Sequence, residues 1–333
     1  MAIENKLYSS DRHTTHYLCS GPEGGVPIIF VHGWPELSLS WRHQIPHFAA
    51  LGFRVIAPDM RGYGQSSIYQ NHGDYAQRHV VADMLELADG LGIGRAIWVG
   101  HDWGCATVWN LARHYADRCI AVANLCVPYY TIEAGWDGLL PYINRAIYPE
   151  DEYPAGQWEY QCYYEENFAA ATAAFDADPE QLISLIFRRG NPDGRGQVAG
   201  TAMTRKEGGW FGGGAMPELP NDPVVVSVEE VKQYAESLRR NSFFGPDSYY
   251  MNHDANAAYT AEASSHVLDM PVLFLHGRYD YTCETIESNA VEPMRQHCSE
   301  LSEAVVDSGH WMAQEKPEEV NKHLSAWIQT GWS

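Results

Sequence analysis

The stretch AIWVGHDWGCATVWNLAR, residues 96–113, decides how the rest of the chain is read. Ala96–Val99 is a short continuous apolar run, as expected of a strand buried on both faces. Gly100, His101, Asp102, Trp103 and Gly104 make a tight turn, and Cys105–Arg113 has helical composition. Gly-x-Asp-x-Gly between a strand and a helix is the frame of a nucleophile elbow, in which serine is the usual central residue. An aspartate there raises a question: what chemistry wants a nucleophile that needs no base to ionise it?

Working outward, short apolar strands are expected at Pro27–Val31, Arg54–Pro58, Ala96–Gly100, Ala121–Val127, Val272–His276 and Ala304–Asp307. Helical stretches alternate with them. In Tyr75–Leu91, for example, Val80, Met84, Leu87 and Leu91 recur on one face. This rhythm predicts an α/β fold, a mostly parallel sheet covered by helices, with an antiparallel start near Tyr8 and His16. From Pro128 to Met251 the alternation stops and aromatics crowd in: Trp136, Tyr142, Tyr148, Trp158, Tyr160, Tyr163, Tyr164 and Phe168. Gly208–Pro223 reads as loop and Ser227–Arg240 as a helix. The expected division is a core of residues 1–127 and 252–333, with residues 128–251 as an inserted helical cap.

Composition narrows the function. The chain has 333 residues, 45% hydrophobic and 20% charged, enough to bury a sizeable core. A formal net charge of −21 argues against nucleic acid or an anionic membrane surface as partner. No run of about 18 apolar residues occurs, so stable membrane insertion is not expected. The start MAIENKLYSSDRH lacks the apolar core of a secretory signal. Seven cysteines with no Cys-x-x-Cys pair read as reduced thiols of a cytoplasmic protein. No HExxH pattern occurs, and no metal or cofactor is expected. Gly92-Ile93-Gly94-Arg95 precedes a strand and lacks a third glycine, so it is not a dinucleotide fingerprint.

Three strand ends carry the chemistry. Asp102 follows one, Asp280 follows LHGRY, and His310 follows DSG. Nucleophile, acid, histidine is the chain order that goes with a nucleophile elbow, and all three fall at the carboxyl edge where ligands bind open parallel sheets. Asp307 rivals Asp280 as the acid but is too near His310 in sequence to come from another strand. Singly, an aspartate after a strand is usually a turn or cap residue and a histidine is usually structural. It is the combination that points to catalysis.

VGHDWG, HGWPE at His32–Glu36, DMRGYGQS at Asp59–Ser66 and the closing DSGHWMAQEKPEEV together resemble the epoxide hydrolases of the α/β-hydrolase superfamily, over nearly the whole chain. The resemblance is to the soluble type without a preceding phosphatase domain. EYQCYY at Glu159–Tyr164 is similar to the family's first tyrosine motif, which implies Tyr160 as an epoxide-activating phenol. FGPDSYYMN at Phe244–Asn252 is similar to the second, which implies Tyr250, with adjacent Tyr249 as the rival. Tyr164-Glu165 stands where the family commonly has Phe-Gln. The resemblance also implies a cis bond before Pro35.

These residues suggest an answer to the opening question. A carboxylate is ionised near neutrality, and it can displace the oxygen of a strained epoxide if that oxygen is activated. The ester so formed would be hydrolysed by water that His310 activates and Asp280 orients. Backbone N–H groups of Trp34 and Trp103 are the candidate oxyanion hole, and Gln161 and His101 candidate substrate contacts. The expected partners are a lipophilic epoxide and water; oligomeric state is left open. The alternative is a haloalkane or haloacid dehalogenase of the same fold, which would not need paired tyrosines. A non-catalytic ligand receptor would not need the complete trio of nucleophile, acid and histidine.

Overall fold

A computed structural model describes residues 2–331. Its centre is an eight-stranded sheet in the order β1-β2-β4-β3-β5-β6-β7-β8. The strands are β1 (Glu4–Ser9), β2 (Thr14–Ser20), β3 (Pro27–Val31), β4 (Arg54–Pro58), β5 (Ala96–His101), β6 (Cys119–Leu125), β7 (Leu268–Gly277) and β8 (Cys298–Val306). β1 and β2 pair antiparallel, β2 pairs antiparallel with β4, and the other neighbours are parallel. β3 and β4 match the apolar runs in the sequence residue for residue. Their side chains are almost wholly buried, because helices cover both faces of the parallel part.

β8 departs most from the sequence reading. It begins at Cys298, not Ala304, and ends at Val306. It is an edge strand paired only with β7, so residues such as Ser299, Glu300, Ser302 and Glu303 face solvent or lie partly exposed and break the apolar run. Strand β6 also starts and ends two residues earlier than the apolar run suggested.

Between β6 and β7 lie the α-helices Trp136–Leu139, Glu159–Asp176, Pro179–Ile186, Gly200–Met203, Val228–Asn241, Phe244–Ser248 and His253–Ala261, with no helix or strand over residues 204–227. The Val228–Asn241 helix starts on a capping box. Ser227 Oγ accepts the Glu230 N–H at 3.3 Å, and Glu230 accepts the Ser227 N–H at 2.7 Å. Side chains tie this segment to the turn after β4: Arg240 donates to Gly64 O at 2.6 Å, and Ser237 Oγ accepts the Gly64 N–H at 3.1 Å. Ser66 joins that turn to β2. It accepts the His16 N–H at 2.9 Å and donates to Asp59 O at 2.6 Å. No helix among the described residues is long and apolar enough to cross a membrane.

Candidate active site

Asp102 sits between β5 and the helix Trp103–His114, at φ 51° and ψ −123°. A residue with a Cβ is strained there and stays only where its surroundings hold it. Three glycines let those surroundings close in. A Cβ on Gly104 would lie 2.1 Å from Val31 O, one on Gly100 2.3 Å from Asn124 Oδ1, and one on Gly33 2.4 Å from Asp102 Oδ1. The turn therefore presses against β3 and β6 and aims one carboxylate outward.

Its two oxygens have different neighbours. Oδ1 accepts the Trp34 N–H at 2.7 Å, and the Trp103 N–H is also directed at the carboxylate. Oδ2 faces His310 Nε2 at 3.7 Å. His310 Nδ1 is 2.8 Å from Asp280 Oδ2, while Asp280 Oδ1 accepts the N–H groups of Thr282 at 3.1 Å and Cys283 at 2.9 Å. The rival acid, Asp307, is exposed and pairs with Arg278. The Trp34–Pro35 bond is cis.

Burial pushes the Asp102 carboxyl up, against the pull of His310, His101 and the two N–H donors. Burial acts the same way on Asp280, but the charge and hydrogen bond of His310 outweigh it and hold this carboxyl below its usual range. Burial disfavours charge on His310, yet Asp280 beside it holds its pKa well above the usual value. An imidazolium between two carboxylates is the favoured state of the unreacted site.

Asp102, Tyr160, Tyr250 and His310 line one cavity of about 350 Å³, together with Trp34, Leu185, Ile186, Trp210 and Trp311. Between the two adjacent tyrosines the structure discriminates: Tyr249 donates its hydroxyl to Arg61 O at 3.1 Å, and Tyr250 is the one on the cavity. Tyr160 and Tyr250 meet edge to face, with ring centroids 5.5 Å apart. Burial lifts both phenols well above their usual value near 10, so they keep their protons at neutral pH.

His101 and Gln161 are placed differently from the sequence reading. Neither is among the residues lining the cavity. His101 lies behind His310, with Nδ1 2.7 Å from Glu36 and Nε2 2.8 Å from His310 O, so both ring nitrogens are engaged. Gln161 donates to the Tyr160 hydroxyl at 3.0 Å and acts on the cavity through that phenol.

Two contributors escaped the sequence. Trp210, on the cavity wall, stands in the glycine-rich loop KEGGWFGGG, where a large aromatic is itself a signal. Asp247 is fully buried; it accepts the Trp34 indole N–H at 2.9 Å and the Thr172 hydroxyl at 3.0 Å. An acid inside the otherwise apolar FGPDSYYM could have flagged it. Among the described residues, Cys126, Asp280, Cys283 and His310 bring metal-type donor atoms within 4.8 Å of one another. Asp280 and His310 already bond each other, and burial keeps the Cys126 thiol protonated, so the group reads as a hydrogen-bonded cluster.

Fold and site define the class, an α/β-hydrolase-fold protein with aspartate at its elbow. A family model described as alpha/beta hydrolase fold matches residues 26–161. The chain is 34% identical over 310 residues to epoxide hydrolase A of Mycobacterium tuberculosis, covering 92% of this chain and 91% of that protein. It is 31% identical to bifunctional epoxide hydrolase 2 of Sus scrofa, covering 92% of this chain and 52% of that longer one. The crystal structure of epoxide hydrolase A from Mycobacterium thermoresistibile superposes with a TM-score of 0.79 at 28% identity, over 98% of each chain. Epoxide hydrolase VrEH1 of Vigna radiata gives 0.76 at 26% identity, over 99% of this chain and 98% of that one. The chain belongs to the epoxide hydrolase family of the α/β-hydrolase fold.

Proposed function

We propose that this protein hydrolyses lipophilic epoxides to vicinal diols through an ester on Asp102. The observation that carries this reading is the pair of protonated phenols, Tyr160 and Tyr250, on the same cavity as the Asp102 carboxylate. In the first step Asp102 Oδ2 attacks a ring carbon and the bond from that carbon to the ring oxygen breaks. The leaving oxygen takes a proton from one phenol while the other donates a hydrogen bond. Forming the ester removes a negative charge that stood 3.7 Å from His310 Nε2, so the imidazolium then holds its proton less tightly and gives it up to the phenolate. In the second step His310 takes a proton from water, which adds to the ester carbonyl. The charge that develops falls on Oδ1, the oxygen that already accepts the Trp34 N–H, with the Trp103 N–H also directed at this carboxyl group. Collapse expels the substrate oxygen, which takes the proton of the new carboxyl group; this frees the diol, restores the carboxylate and leaves His310 protonated as at the start.

Residues 128–251 act in this reading as a cap that supplies both phenols, and residues 1–127 and 252–333 as the core that supplies Asp102, Asp280 and His310. Seven free cysteines are compatible with the cytoplasm as its compartment. The test is single turnover of styrene oxide in water enriched in heavy oxygen, beside a 1-haloalkane. The expected result is a diol with unlabelled oxygen and label in the peptide that carries Asp102. Halide release with the epoxide untouched would make the protein a dehalogenase instead.

A further inference from the structure

Asp102 does not face one cavity but two. Beside the 350 Å³ cavity lies a second space of about 20 Å³, and Asp102 and Tyr160 are the residues that line both. The proposed nucleophile and one proposed phenol therefore border both spaces. One water molecule needs about 10–15 Å³ of such space, so the smaller one holds a single group of that size.

Its walls have little room to yield. Ile132, Leu139, Trp158 and Cys283 are all buried there. A Cβ on Gly138 would lie 2.3 Å from Thr131 O, so the short helix Trp136–Leu139 already touches the loop behind it. That loop is pinned in turn: the Glu133 carboxylate accepts the N–H groups of Tyr130 and Thr131, and the Thr131 hydroxyl donates to Pro128 O at 2.6 Å. The larger cavity has room for a long apolar arm along Leu185, Ile186, Trp210 and Trp311.

An epoxide held by its oxygen at Tyr160 and Tyr250 points the substituents of its two carbons in opposite directions. We infer that the protein is selective for lopsided epoxides, with one long apolar arm in the larger cavity and hydrogen or at most a methyl group on the other carbon. This rests on the proposed epoxide hydrolysis and specifies its substrate class. Ile132, Leu139 and Trp158 are the specificity-determining residues, because they close the smaller space.

The test compares isomers, 1,2-epoxyoctane and cis-4,5-epoxyoctane, which have the same atoms and differ only in where the ring sits. A pocket misfit of a methylene or more changes kcat/KM by about 10–200-fold. The 1,2-isomer is therefore expected to be turned over at least about tenfold more efficiently. Leu139→Ala, which enlarges the smaller space, is expected to narrow that gap by raising kcat/KM for the 4,5-isomer relative to the 1,2-isomer. Equal turnover of both isomers by the wild-type protein overturns the inference and leaves the proposed function standing. So does a Leu139→Ala variant that melts cooperatively, hydrolyses the 1,2-isomer and keeps the full gap. Failure to hydrolyse either isomer or styrene oxide removes the proposed function and this inference with it.

Discussion

On the sheet side of the candidate site Asp102 and Asp280 are gripped by backbone; on the helical side Tyr250 is held by rings. Asp102 faces the N–H groups of Trp34 and Trp103, and Asp280 accepts those of Thr282 and Cys283. Those donors are fixed by strand ends and a turn that glycines allow to close. Tyr250, by contrast, touches Trp103, Tyr160 and Tyr164 through its ring, with centroids 5.2, 5.5 and 5.1 Å away. Each such contact contributes about 0.5–1.5 kcal/mol beyond the area it buries, and it tolerates small shifts. Covalent chemistry needs an atom placed to within a fraction of an ångström, which backbone provides. Stabilising an oxygen whose position varies with the substrate suits side chains that adjust.

That contrast predicts a ranking of effects. Asp102→Asn is expected to abolish turnover, by about 10⁴-fold or more, because a neutral amide is not a nucleophile toward carbon. Steady-state diol formation checks it, and intact-mass spectrometry should find no adduct. His310→Gln is expected to stop the cycle halfway: one equivalent of epoxide is consumed, the mass of the protein rises by that of the substrate, and further turnover is lost. Full multiple turnover in this variant would break the assignment of the sheet side. Tyr160→Phe and Tyr250→Phe are expected to cost about 10²-fold each in kcat/KM, less than the sheet-side losses, since the remaining phenol still serves the same oxygen. A double Phe variant that loses no more than either single one would show that only one phenol reaches the substrate.

The same contrast explains what the sequence made legible. β3, β4 and β5 are continuous apolar runs because both faces are covered, and Asp102, Asp280 and His310 stand directly after strands or their turns, so their positions follow from the fold. β8 was partly hidden because an edge strand has a solvent face, and its polar residues mimic a loop. On the helical side only residues inside a motif, Tyr160 and Tyr250, were recognisable. Trp210, on a stretch without regular structure, carries only the weak signal of an aromatic among glycines, and nothing local tells Tyr249 from Tyr250. Which tyrosine meets the cavity is set by a hydroxyl bonded to Arg61 O, 188 residues away in the chain. His101 was legible as a neighbour of the site but not as a support, since its partners Glu36 and His310 come from distant loops.

The smallest expected effect on turnover concerns the place where the two sides join. Asp247, from the helix Phe244–Ser248, accepts the indole N–H of Trp34, whose backbone N–H faces Asp102. Burial pushes the Asp247 carboxyl up to about 8, against the opposing effect of its two hydrogen bonds. Unfolded, the group titrates near 3.9. Between those values the folded protein binds a proton that the unfolded chain does not, so stability falls as pH rises from about 4 to about 8 and is flat above. The slope for one proton is at most about 1.4 kcal/mol per pH unit. Asp247→Asn removes the titration and keeps a carbonyl oxygen to accept from Trp34. Its melting temperature relative to wild type is expected to climb from pH 5 to pH 8 and then level, while kcat/KM at pH 6 changes little. A difference in melting temperature that does not vary with pH would show that Asp247 is already ionised in the fold. The joint between the two sides would then be an ion held by an indole and a hydroxyl instead of a neutral acid.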